Sequence, residues 1–147
     1  MSNLKQYEDD FWNFIEAGFV ATNHMDGDSA EKLFMAAHKL KPEHTFPTIG
    51  FGYMQLCRLQ AKDAVASFQR VLDKEPENEM AKALLAIAKS FTLLEMDNAD
   101  KMLEELSRFS EDKDIKKLAE IGSNFLNQHL KAQPGPADPN MRKQKER

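Results

Sequence analysis

Ala30-Glu31-Lys32-Leu33-Phe34-Met35-Ala36-Ala37-His38-Lys39-Leu40-Lys41-Pro42 returns 34 residues later as Ala64-Val65-Ala66-Ser67-Phe68-Gln69-Arg70-Val71-Leu72-Asp73-Lys74-Glu75-Pro76. Ala, Phe and Pro recur in place, and Val71 stands where Ala37 stood. Upstream, Gly18 and Gly52 keep the same separation. Apolar residues recur at intervals of three and four, the period of an α-helix, and no stretch alternates with the period of two that a strand needs. The reading is all-α, built from a repeated unit.

Working outward, the first unit covers about 11–44. Its first helix is predicted from near Leu4 to Thr22, and Asn23-His24-Met25-Asp26-Gly27 forms a turn. The second helix is predicted to start at Asp28, where Asp28-Ser29-Ala30-Glu31 matches a capping box, and to stop before Pro42. The second unit, about 45–78, repeats this plan. Thr45 is placed to cap, Pro47 fits the first turn, and the two helices run to about Leu59 and over 62–74. A third unit, about 79–111, has Ala86 in the glycine place, while Ala99 and Leu103 lie 35 residues after Ala64 and Phe68. That slip predicts one extra residue near Met96-Asp97-Asn98. A last helix, 113–131, carries Ile115, Leu118, Ile121, Phe125, Leu126 and Leu130 on one stripe. The folded region is therefore 1–133. The Pro-rich, basic segment 134–147 has nothing to bury and reads as a disordered tail.

Size and composition bound the answer. A chain of 147 residues with 41% hydrophobic residues can bury a core, and 30% charged residues favour a protein in solution. A net charge of −4 gives no electrostatic case for nucleic acid. Met1 to Asp10 has neither a basic nor an apolar region of a secretory leader, and no apolar run reaches the roughly 20 residues of a membrane span. The single Cys57 excludes a disulfide framework and fits a reducing cytoplasm.

The chain resembles the tetratricopeptide family through G…A-x-x-x-F…P, complete in two units and partial in the third, over roughly 11–111. It departs from the family early in each first helix, where Phe14, Ala17, Ala21 and then Thr48, Phe51, Gln55 stand at large aromatic or apolar sites. The resemblance implies about three degenerate helix hairpins in a short right-handed superhelix, with the last helix capping the exposed end. It also implies that the first helices face a concave groove through unit positions 2, 5, 9 and 12. These are Trp12, Ile15, Phe19 and Thr22, then Phe46, Ile49, Tyr53 and Leu56, then Met80, Ala83, Ile87 and Ser90. Nine of these twelve are aromatic or large aliphatic, so the groove should hold something apolar. The candidate binding residues are Trp12, Ile15, Phe19, Phe46, Ile49, Tyr53, Leu56, Met80 and Ile87. An N-terminal segment, the capping helix or a second copy in a homodimer are other covers for the same groove. The ring of Lys, Arg and Asn by which some relatives grip acidic peptides is missing.

In size, degeneracy and apolar groove the chain is similar to the tetratricopeptide chaperones of bacterial type III secretion systems. Glu16-Ala17-Gly18-Phe19 through Phe34 to Leu40-Lys41-Pro42 is most similar to the needle-subunit branch. That resemblance implies a cytoplasmic bacterial chaperone that lays an amphipathic helix of the needle subunit in its groove and blocks premature polymerisation, with a second small co-chaperone as a further partner. A translocator chaperone of the same system, or a general tetratricopeptide adaptor or scaffold, are the alternatives.

No chemistry competes with this reading. His24, His38, His44 and His129 are scattered and form no His-x-x-x-His pair, so no metal is expected. Asp26-Gly27-Asp28 lacks the full ligand set for calcium. Cys57 has no nearby His and reads as a packed side chain. No phosphate loop or nucleophile elbow is present, so neither a cofactor nor an enzyme activity is expected.

Overall fold

The computed structural model describes residues 2–131, so the tail expected at 134–147 lies outside the described residues. All regular structure within them is helical. A 3-10 helix, Ser2–Asp10, leads into seven α-helices: α1 Phe11–Asn23, α2 Gly27–Leu40, α3 Phe46–Cys57, α4 Ala61–Lys74, α5 Glu79–Ser90, α6 Met96–Phe109 and α7 Lys113–Phe125. The chain then continues as a π-helix, Leu126–Lys131.

Small residues let the helices pair. A Cβ on Gly18 would stand 2.5 Å from the Phe34 ring, and one on Gly52 would stand 2.6 Å from Phe68, so α1 closes on α2 and α3 on α4 only because both positions lack one. Gly50 has the same role between units: it approaches Phe34 from α3, leaving that ring clasped by two glycines. The core follows this logic in three blocks, each completed by the next unit's first helix. Phe11, Ile15, Ala30, Phe34 and Ala37 gather with Met54 of α3. Ile49, Ala64, Phe68 and Val71 gather with Leu84, Leu85 and Ala88 of α5. Ala83, Ala86, Leu103 and Leu106 gather with Ile115 and Ala119 of α7. The last helix, α7, packs against both α5 and α6.

The joint between the start of a unit's first helix and the residue after its second is closed three times by different chemistry. The Lys41 ammonium lies 5.0 Å from the Phe11 ring centroid. Thr45 Oγ1 donates to Glu75 Oε1 at 2.9 Å, and Ser110 Oγ donates to Glu79 Oε2 at 2.7 Å. The Asn78 side chain also donates to Glu75, and this bond, reinforced by the one from Thr45, holds the Glu75 carboxyl below its usual range.

Several sequence expectations need correction. The capping box at Asp28 does not form. Met25 adopts φ of 62°, which tightens the turn, and Asp26 becomes the cap by accepting from the Ser29 amide at 3.1 Å. The Thr45 side chain does not cap α3: its backbone is already helical, at φ −82° and ψ −19°, and its hydroxyl is turned to Glu75, while His44 Nδ1 accepts from the Phe46 amide. Leu59, at φ of 58°, lies past the end of α3, which stops at Cys57. The extra residue of the third unit falls in the Phe91–Glu95 connection, before α6 begins. On α7, Ile121 is 57% exposed, and Ala119 and Gly122 take the contact instead, with Gly122 against Leu103 and Ile87.

Candidate functional site

The candidate residues fall on α1, α3 and α5, and helix geometry sorts them. Unit positions 2 and 9 share a face of each helix, since seven residues make nearly two turns. Positions 5 and 12 sit about 60–80° to one side, turned towards the paired helix. Accordingly Trp12 is 46% and Met80 37% exposed, with Phe46 half-buried between them. Phe19, Tyr53 and Ile87 form a second, half-buried row.

Ile15 and Ile49 are not on this surface. They are buried in the first and second core blocks, as is Ala83 in the third. Thr22 and Ser90 are also buried, and their hydroxyls donate to the backbone oxygens of Gly18 and Ile87. Leu56 is half-buried against the second core block. The candidate set reduces to Trp12, Phe46 and Met80 in one row, Phe19, Tyr53 and Ile87 in the other, and Leu56 beside them.

The rows are organised across units by ring contacts. Trp12 meets Phe46 edge-to-face at 5.2 Å between centroids, and Phe19 meets Tyr53 at 5.5 Å. Tyr53 Oη donates to Asn23 Oδ1 at 2.8 Å, which fixes the ring across the two units. Burial, with a smaller effect from Cys57, pushes the Tyr53 phenol above its ordinary range, so the hydroxyl stays a neutral donor.

Two groups of residues here escaped the sequence reading. His44 is half-buried, 4.7 Å from the Phe11 ring and 5.3 Å from Trp12, so it belongs to the aromatic end of the face. Position 13 supplies Asn23, Cys57 and Phe91, only about 20° from position 2 round the helix, a placement that helical counting alone could have given. Phe91, 40% exposed, meets Phe125 of α7 at 6.2 Å and extends the apolar face.

The face holds no reactive constellation. Among the described residues no three His, Cys, Asp or Glu side chains gather as metal ligands, and no buried side-chain nitrogen or oxygen lacks a hydrogen-bond partner. No helix among them is long and apolar enough to cross a membrane. What the rows offer is ring edges and aliphatic surface, suited to apolar contact. Comparison with protein-family models, with curated proteins and with solved structures finds no match to this chain.

Proposed function

We propose that this chain is a tetratricopeptide-like chaperone that holds an amphipathic helix of a protein partner along the two rows Trp12–Phe46–Met80 and Phe19–Tyr53–Ile87. The observation that carries this reading is the division of labour within α1, α3 and α5. Ile15, Ile49 and Ala83 complete the core, yet the neighbouring apolar positions remain partly open on one face. A protein that needed only to fold would favour polar residues there. An open apolar face repeated along a stack suits a client whose own apolar stripe repeats every three to four residues. Among such clients the needle subunit of a bacterial type III secretion system is the first candidate, because its polymerising faces require covering in the cytoplasm before export. A co-chaperone would then be a second partner. A translocator client, or a general adaptor role, would use the same face.

The test is co-expression with a needle subunit followed by co-purification. Trp12→Asp and Met80→Asp alter the two most open anchors of the face. Each should weaken the complex by about tenfold or more while far-ultraviolet circular dichroism stays unchanged. Normal binding by both folded variants would remove the face from the mechanism. A complex with a translocator and none with a needle subunit would transfer the proposal to the other chaperone branch.

A further inference from the structure

Away from the aromatic rows, the molecule carries two clefts that occupy the same place in successive units. The first, of about 390 Å³, lies between α2 and α4; His38, Thr48, Ser67, Arg70 and Lys74 line it together with the apolar Pro42, Phe51 and Val71. The second, of about 460 Å³, lies between α4 and α6. Its counterparts of those polar residues are Leu72, Lys82, Met102, Glu105 and Phe109, displaced by 34 residues on α4 and α5 and by 35 on α6. The first cleft folds with polar side chains at positions where the second has Leu72, Met102 and Phe109. The fold therefore does not require apolar residues there. Phe109 nevertheless stands 77% exposed at the rim, where its counterpart is Lys74. A contiguous exposed apolar patch marks a contact, and Phe109 shares one cleft with Leu72 and Met102.

We infer that the α4–α6 cleft is the seat of a symmetric dimer, with a second copy of this chain as its occupant. Shape and charge both favour a self-match. Phe109 is a projecting ring beside an apolar hollow floored by Leu72, Met102 and Leu106, so each copy offers both the knob and the hole. A two-fold interface sets a patch against itself, which requires that its charges do not all share one sign. Here Glu79 and Glu105 stand with Lys82, which pairs with Glu77 at 3.2 Å, and the adjoining surface of α6 adds Lys101 and the Glu104–Arg108 ion pair. This mixture neither repels its own copy nor selects a strongly acidic or basic stranger. Lys82 lies two residues beyond Met80, about 200° round α5 from the aromatic row, so the dimer leaves that row open. The inference is independent of the client proposed above.

Sedimentation velocity of the purified full chain over a wide concentration range tests it. The wild type should pass from monomer to dimer as concentration rises. Phe109→Asp should raise the dissociation constant by about thirtyfold or more. Phe109→Lys, which installs the side chain of the first cleft, should do the same and guards against a peculiarity of the carboxylate. Lys82→Glu should weaken the dimer by gathering like charges, and Trp12→Asp should leave it intact. Unchanged circular dichroism and denaturation midpoints would show that the Phe109 variants remain folded. A wild type that stays monomeric throughout, or a dimer that survives both Phe109 variants, overturns the inference. So does a dimer that Trp12→Asp dissolves, which would move the interface to the aromatic rows.

Discussion

The α2–α4 cleft and the α4–α6 cleft are one place in the repeat written in two chemistries. In the first, His38, Arg70 and Lys74 border the opening, and Arg70 donates to Ser67, whose own hydroxyl donates to Gln55. In the second, Leu72, Met102 and Phe109 stand at the counterparts of His38, Ser67 and Lys74. Beneath both, the same framework persists: Val71 and Leu106 face inward, with Phe68 and Leu103 buried a turn before them. A repeat thus separates what the fold demands from what it merely permits. Inward positions keep their apolar character from unit to unit, while the cleft lining is free to diverge and to carry function.

The largest expected effects come from breaking the shared framework. Phe68→Ala should cost about 3–5 kcal/mol and Leu103→Ala about 2–5 kcal/mol, since each removes a fully buried side chain that its surroundings cannot replace. Denaturant unfolding monitored by circular dichroism measures both. Equal small losses, below about 1 kcal/mol, would mean that the two blocks are loosely packed and that the frame is not common to both clefts.

Next in size is Gly50→Ala. Its new methyl would meet the Phe34 ring, which Gly18 also approaches closely, so the ring has little room to yield. Overpacking of this kind costs about 1–3 kcal/mol. The same register position in the third unit is Leu84, a buried member of the second core block, so the demand for glycine belongs to the first block alone. A wild-type denaturation midpoint for Gly50→Ala would show that Phe34 has another place to go.

These cases also show what was legible in the sequence. Gly18 with Phe34 and Gly52 with Phe68 repeat at one spacing, because each pair makes a contact within its own unit, and the two prolines repeat with them. Gly50 does not repeat, since it serves a contact between units and its counterparts, Glu16 and Leu84, meet different neighbours. The all-helical class and most helix boundaries were readable to within a few residues. The Asp26 cap was hidden by the left-handed turn at Met25. Of the candidate face, the residues at positions 2 and 9 are exposed or half-buried. Ile15 and Ile49 were misplaced, because apolarity alone does not distinguish a groove residue from one turned 60–80° into the helix pair. The clefts were illegible for a further reason: each gathers side chains from several helices of adjacent units, and no local pattern announces such a set.

Grafting the second lining onto the first cleft sharpens the contrast. His38→Leu with Lys74→Phe alters two exposed side chains and should change folding stability by no more than about 0.5 kcal/mol. Its effect should appear instead in sedimentation, as stronger self-association through a second apolar cleft. A graft that folds well and associates no more than the wild type would show that apolar lining alone is insufficient, leaving the mixed charges around Phe109 as the deciding feature.

The smallest effect concerns the joints beside the two clefts, Thr45–Glu75 at the first and Ser110–Glu79 at the second. The Glu75 carboxyl is held low chiefly by the Asn78 side chain, and also by the Thr45 hydroxyl. A carboxyl depressed in the folded state contributes stability that is fully present above the unfolded glutamate range, near pH 4.3, and is lost as pH falls through the folded value. Glu75 is exposed, so this contribution is a few tenths of a kcal/mol. Glu75→Gln should lower stability slightly at pH 7, and the two unfolding curves should converge as pH falls through the folded value. Curves that remain parallel from pH 7 to pH 3 would show that the Glu75 hydrogen bonds owe nothing to its charge, and that the joint is held, as at Ser110, by a hydroxyl meeting any suitable oxygen.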